Sequence, residues 1–189
     1  MPVARAWGSR GSALALVLAC GACHDSAGID FREFASAALG VPAAFQTDLP
    51  AYSLRLTPTG YEGAIGVTFT NPTSNAVYIV NCQGGTSLHL DKLVGSRWIV
   101  AYAPVVLDCL SAPIVIQKGA QYRSVVGIYA GYPGTNFHPK FTVSEISGIY
   151  RIVWSDVVRT YDQQRGAWSD PLPEPLRTSN WFTIAAAAR

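Results

Sequence analysis

Leu93-Val94-Gly95-Ser96-Arg97-Trp98 sets a flexible two-residue pair between two β-forming runs, Leu88 to Leu93 and Trp98 to Tyr102. Glycine reaches the positive φ that a tight hairpin turn demands, so the stretch predicts two antiparallel strands joined with no spare chain. The same grammar extends in both directions. Ser53 to Leu56, Ala64 to Thr70 and Ala76 to Val80 precede it as strand-like runs. Ile114 to Gln117, Ser124 to Ala130, Phe141 to Ser144, Tyr150 to Val158 and Ser179 to Ile184 follow. Turn residues fall between them at roughly every 8 to 12 positions, as at Asn71-Pro72, Lys118-Gly119 and Gln163 to Gly166. No run from Ala51 onward has the length of a crossover helix, so parallel βαβ units are not expected. The fold class is therefore all-β, an antiparallel β-sandwich over residues 51–184, with a closed barrel as the alternative.

Before residue 51 the pattern differs. Asp30 stands as a helix cap with Glu33 three residues later, and Phe31, Phe34, Ala35, Ala38 and Leu39 recur at spacings of three and four. That predicts one short helix over 31–39, ended by Gly40 and Pro42, within a tether of residues 20–50. Residues 1–19 are another kind of segment. Arg5 and Arg10 precede an apolar run from Ser12 to Ala19, too short to span a bilayer as a helix, which takes about 20 residues. A basic start, a short apolar stretch and a small residue before the break make an export signal.

The box Val17-Leu18-Ala19-Cys20 resembles a bacterial lipoprotein signal, which implies cleavage before Cys20 and its lipidation. Cys23, after Gly21-Ala22, is the rival first residue, and a cut without lipidation is the plainer alternative. The resemblance implies an acylated (palmitate-bearing) envelope lipoprotein held to the membrane by its fatty chains. With Gly21 after the cysteine it implies outer-membrane delivery, facing the periplasm or the cell surface. Two or more acyl chains make such an anchor durable without help from the protein surface.

Removing residues 1–19 takes away two arginines and no acid, so the formal charge falls from +2 to 0 over the remaining 189 − 19 = 170 residues. A neutral chain without a basic run lacks the field on which phosphate contacts depend, so nucleic acid is not an expected partner. Hydrophobic residues make up 49% and charged ones only 14%, enough for a full core in one domain. Cysteines stand at 20, 23, 82 and 109. Export favours a disulfide, and Cys82 with Cys109 would close a loop of 109 − 82 = 27 positions, a constraint of about 3–4 kcal/mol. His24, His89 and His138 stand far apart, and no Cys or His pair in the domain has zinc-like spacing. Neither a metal nor a cofactor is expected.

Phe69-Thr70-Asn71-Pro72-Thr73, the Gly95 hairpin with Trp98, Ile116-Gln117-Lys118-Gly119 and Gly148-Ile149-Tyr150-Arg151-Ile152 together resemble the immunoglobulin-like modules of bacterial envelope proteins. The resemblance covers roughly residues 51–158 and speaks to fold rather than activity. It implies a tyrosine-corner role for Tyr150, and core positions for Trp98 and Trp154. Asn71-Pro72-Thr73-Ser74-Asn75 is also similar to the first loop of chagasin-type peptidase inhibitors, though that family's later loops have no counterpart here.

Nothing in the chain singles out a catalytic residue: no nucleophile elbow occurs, and no two of the 12 acids stand apart as a pair. His89 alternates with Leu88 and Leu90 and is expected to face solvent. Two loops are the candidate binding elements. His138 lies in Gly131 to Lys140, rich in Gly, Pro and aromatics, and Trp168 lies in Tyr161 to Arg177. The expected function is a non-catalytic, membrane-tethered envelope module that binds a protein or a cell-wall component. A secreted enzyme of unrecognised type is the alternative, and a peptidase inhibitor a more distant one.

Overall fold

Gly95 takes φ +60°, and the Gly95-Ser96 connection pairs Val94 with Arg97 in an antiparallel hairpin. A computed structural model describes residues 43–105 and 111–187. The leader, Cys20, Cys23, the expected helix over 31–39 and Cys109 lie outside the described residues. Within them the chain forms β1 (Phe45–Thr47), β2 (Ala51–Leu56), β3 (Gly60–Thr70), β4 (Val77–Ile79), β5 (Leu88–Val94) and β6 (Arg97–Tyr102). Then come β7 (Ile114–Ile116), β8 (Gln121–Gly131), β9 (Gly148–Trp154), β10 (Val157–Asp162), β11 (Ala167–Pro171), the single-turn α1 (Glu174–Arg177) and β12 (Phe182–Ala186).

The chain is all-β. Its larger sheet runs β1-β3-β2-β12-β9-β5-β6, with β8 on the far side of β3, and its smaller sheet runs β11-β10-β4-β7. Pairing is antiparallel throughout the described strands except for β2 and β12, which run parallel from Ala51↔Thr183 to Leu54↔Ala186. That parallel pair joins strands from the two ends of the domain, a long-range pairing that needs no local crossover helix. Alternation places Tyr150, Ile152 and Trp154 of β9 inward, and Trp154 meets Phe45, Phe69 and Tyr122 at ring distances of 5.1, 6.4 and 6.0 Å. The β8-β3-β1 half of the large sheet thus lies across the core from the β9-β5-β6 half. Val77, Ile79, Ile116 and Val157 of the small sheet join the same buried cluster.

Four expectations are corrected. Phe141 to Ser144 is not a strand: Phe141 is buried, but the segment's backbone meets the sheet through a Thr142 N–H to Ala101 bond of 2.9 Å. The run Tyr150 to Val158 is two strands, broken at Ser155-Asp156, where the chain leaves the large sheet for the small one. Tyr161 to Arg177 is not a loop but the end of β10, β11 and α1. Trp98 is not in the core; it is half-buried on the outer face of β6.

Tyr150 ties down its preceding connection as expected, its hydroxyl donating to the Ile146 carbonyl at 2.5 Å. Burial first, and the charge of Glu145 second, push its phenol far above the usual range, so it stays a donor. Tyr150→Phe leaves the buried carbonyl without its partner, at a cost of about 1–2 kcal/mol. Thermal melts of the two proteins check this, and equal melting temperatures would contradict the role.

Candidate functional site

On β5 the inward residues Leu88, Leu90 and Lys92 leave His89, Asp91 and Leu93 pointing outward. On β9 Arg151 points outward between Tyr150 and Ile152. The ladder sets Arg151 beside Asp91, and the β9–β12 register puts Trp181 one position beyond the Tyr150↔Phe182 pair, on the other flank of Arg151. A β-bulge at Leu90/Asp91, where pairing steps from Tyr102 to Val100, turns the β5–β6 edge and accompanies the outward shift of Trp98. The β5–β6 hairpin, β9 and the residue before β12 therefore bring Asp91, Trp98, Arg151 and Trp181 to a single sheet face.

Arg151 organises this face. Its Nε and Nη2 each lie 2.9 Å from Asp91 Oδ2, and Nη2 lies 3.4 Å from Glu174 Oε1 on α1. The guanidinium carbon sits 4.8 Å from the Trp98 ring centre, a cation–π contact. Trp98 in turn meets Trp181 at 5.6 Å with a 53° tilt. His89 Nε2 approaches the other oxygen of Asp91 at 3.3 Å. Asp91 is thus a buried carboxylate with both oxygens engaged, while Trp181 remains 42% exposed and Glu174 reaches solvent. The arrangement is a rigid guanidinium held from below by a carboxylate, with two indoles and a second carboxylate at the surface. It can exchange hydrogen bonds at its rim.

The expected loops are placed elsewhere. His138 is exposed in a segment closed by Gly131 N–H to Pro139 (2.9 Å), Lys140 Nζ to Thr135 (2.6 Å) and Tyr132 Oη to Thr57 (2.5 Å). Phe137 beside it packs on Gly131. Trp168 is 44% exposed on the β10–β11 hairpin, directly opposite Tyr161, which stacks on Tyr78. Arg159 and Asp170 face each other at 3.7 Å on that hairpin, and Asp162 Oδ1 accepts the Gln164 and Arg165 N–H groups at its tip. His138 and Asp156 are not brought together. His138 lies near the Gly131 end of β8, whereas Trp154, two residues before Asp156, packs on Tyr122 at the other end, about 30 Å away along the strand.

Asp156 serves the fold. Its carboxylate accepts the Ser87 N–H at 3.2 Å, and its own carbonyl accepts from Val80. Burial pushes its carboxyl above the ordinary carboxylate range, against the opposing pull of the Ser87 N–H. A carboxyl raised by folding weakens the fold as pH climbs from its unfolded value through its folded one, and costs nothing below both. Asp156→Asn, which keeps an acceptor, is therefore expected to raise the melting temperature at neutral pH and to lose that gain in acid. A gain that persists unchanged in acid would contradict the assignment.

Asn71 is also committed inward. Its amide donates to Asn75 and Ile116 carbonyls at 2.8 and 2.9 Å and its oxygen accepts from Thr73 N–H, which hold the turn in place. A cavity of about 140 Å³ opens among Val67, Leu88, Pro104, Val126 and Trp154, with no titratable side chain among its described lining residues. No group of three or more His, Cys, Asp or Glu side chains suited to a metal occurs among the described residues. None of their helices is long and apolar enough to cross a membrane. Cys82 is disulfide-bonded.

No protein-family model matches the chain, and no curated protein matches it. Among solved structures it is similar to the Pseudomonas fluorescens alkylpurine DNA glycosylase AlkC bound to DNA containing an abasic site analog, at 13% identity and a TM-score of 0.30. The match covers 82% of this chain and about a third of that one, 34%. At that TM-score it carries no argument about fold or activity.

Proposed function

We propose that the chain is a bacterial envelope lipoprotein whose folded part is an immunoglobulin-like β-sandwich acting as a non-catalytic binding module. The observation that carries the binding role is the Trp98–Trp181–Arg151 cluster on the outer sheet face, where Trp98 of β6 and Arg151 of β9 meet Trp181 just before β12. It lies apart from the cavity that Val67, Leu88, Val126 and Trp154 line. The sandwich assignment is supported by strand order. The run β12-β9-β5-β6 follows the G-F-C-C′ order of immunoglobulin variable domains, and β8-β3-β1 follows E-B-A. The Tyr150 hydroxyl bond occurs at the start of the F-like strand, where the tyrosine corner belongs. The small sheet then consists of β4, β7 and β10–β11, insertions into the B–C, C′–E and F–G connections.

The partner assigned to Cys82 is Cys109. Ser111 donates its N–H to Asn81 (3.0 Å), its hydroxyl accepts from Gln83 N–H (2.8 Å), and Asn81 reaches Ala112 (3.0 Å), so the chain two residues after Cys109 is fastened beside Cys82. The bridge holds a long excursion between β4 and β7. The anchor rests on Cys20 and the apolar run before it, with delivery to the outer membrane. Cys20→Ser is expected to abolish incorporation of a fatty-acid probe and to release the protein from the membrane fraction. Labelling that survives in the mutant would refute the anchor.

A further inference from the structure

We infer that the cavity beside Trp154 is a binding site for a small uncharged molecule, the size of a substituted benzene, whose one hydrogen-bond acceptor takes the proton of the indole N–H. The space originates in a short side chain on an inward row. Alternation along β8 turns Tyr122, Ser124, Val126 and Ile128 toward the core, and Ser124 is the one without apolar bulk. Its ladder partner is Val67. Across the core Leu88 and Trp154 are ladder partners in turn, and Gly84 and Gly85 bring no side chain to the wall between them. A cavity of about 140 Å³ results.

Two features decide what it takes. The first is its donor. Trp154 is 1% exposed, and its Nε1 finds no acceptor among the described residues, the Thr86 and Ser124 hydroxyls of the same cavity included. Elsewhere the indole packs on the rings of Phe45, Phe69 and Tyr122, so the cavity is the side from which an acceptor can reach it. A buried donor left unmet is costly, and a ligand oxygen removes that cost. The second feature is the wall. Val67, Leu88, Pro104 and Val126 are apolar and no described lining residue titrates, so an ion would lose its water and gain no counter-charge. An apolar cavity of about 150 Å³ holds one benzene-sized molecule, which sets the scale of the ligand. Val105 stands at the rim and is 67% exposed, which gives a way in. Trp154 points inward from β9 whereas Arg151 points outward, so this site is separate from the Trp98–Trp181–Arg151 cluster.

The test uses the full chain in detergent, with each probe's free concentration fixed by dialysis so that its partition into micelles drops out. The probes are acetophenone and α-methylstyrene, which share a shape and differ in carrying a carbonyl oxygen or a methylene. Heteronuclear NMR reads the indole N–H resonances, that of Trp154 being the one lost in Trp154→Phe. Both probes are expected to bind, and acetophenone alone to move the Trp154 resonance downfield. Trp154→Phe is expected to lower the ratio of acetophenone to α-methylstyrene affinity by about fivefold or more. Val126→Phe, which fills the cavity from β8, is expected to abolish binding of both. Absence of binding by either probe, a Trp154 resonance that acetophenone leaves in place, or an affinity ratio unchanged in Trp154→Phe overturns the inference. So does a water at the indole proton that saturating acetophenone fails to displace.

Discussion

Trp154→Ala is expected to lower stability by about 3–5 kcal/mol, a large share of what a domain of this size has to lose. The indole is 1% exposed and touches Phe45, Phe69 and Tyr122, so its removal opens a void between the two halves of the large sheet. β1, β3, β8 and β9 all border that void, and none can close it without breaking a ladder. Trp154 Nε1 is also buried with no acceptor among the described residues. Trp154→Phe keeps most of the ring surface and deletes the unmatched donor, so its cost is expected to be far smaller. Urea melts of the two variants check the argument. Equal losses would mean that the indole's shape, rather than its bulk, holds the halves together.

Arg151→Leu has the second largest expected effect, about 2–4 kcal/mol, through the carboxylate it abandons. Asp91 has a side chain only 7% exposed and receives two of its contacts from the guanidinium. Removing them leaves a buried charge facing His89 alone. The double variant Arg151→Leu/Asp91→Leu is expected to regain much of the loss, because the unpaired charge goes with its partner. Arg151→Lys should not restore full stability, since a lysine cannot hold Asp91 through two nitrogens while lying flat on Trp98. Simple additivity of the two leucine substitutions would show that the ion pair is incidental to the fold.

The hairpin at Gly95-Ser96 was legible because its chemistry is local: a residue free to adopt positive φ stands between two β-forming runs. The corner at Ser155-Asp156 was not. Trp154 and Val157 flank two small polar residues, a pattern that an alternating strand also produces, and the break is imposed by contacts to Ser87 and Val80. β11 was hidden for the opposite reason: Ala167 to Pro171 is exposed throughout and has no apolar face to betray it, its pairing coming from β10. Phe141 advertised a strand because its ring is buried, yet burial of a side chain does not oblige its backbone to join a ladder.

The candidate site shows the same limit. Alternation in Leu88-His89-Leu90 was enough to turn His89 outward. What no single segment reveals is the register that aligns Asp91, Arg151 and Trp181 in one row, because it depends on two separate pairings. Trp98 misled for a related reason. A tryptophan reads as core wherever it falls, and here the bulge at Leu90/Asp91 and the guanidinium of Arg151 give it a place on the surface.

The proposed envelope lipoprotein has to reach an oxidising compartment and stay at the membrane. Intact-mass and peptide mass spectrometry of the protein from membrane fractions tests that most directly. The expected species begins at Cys20, carries a diacylglyceryl and a further acyl group there, and has Cys82 oxidised. A soluble chain that still begins at Met1, with its thiols reduced, would contradict the account.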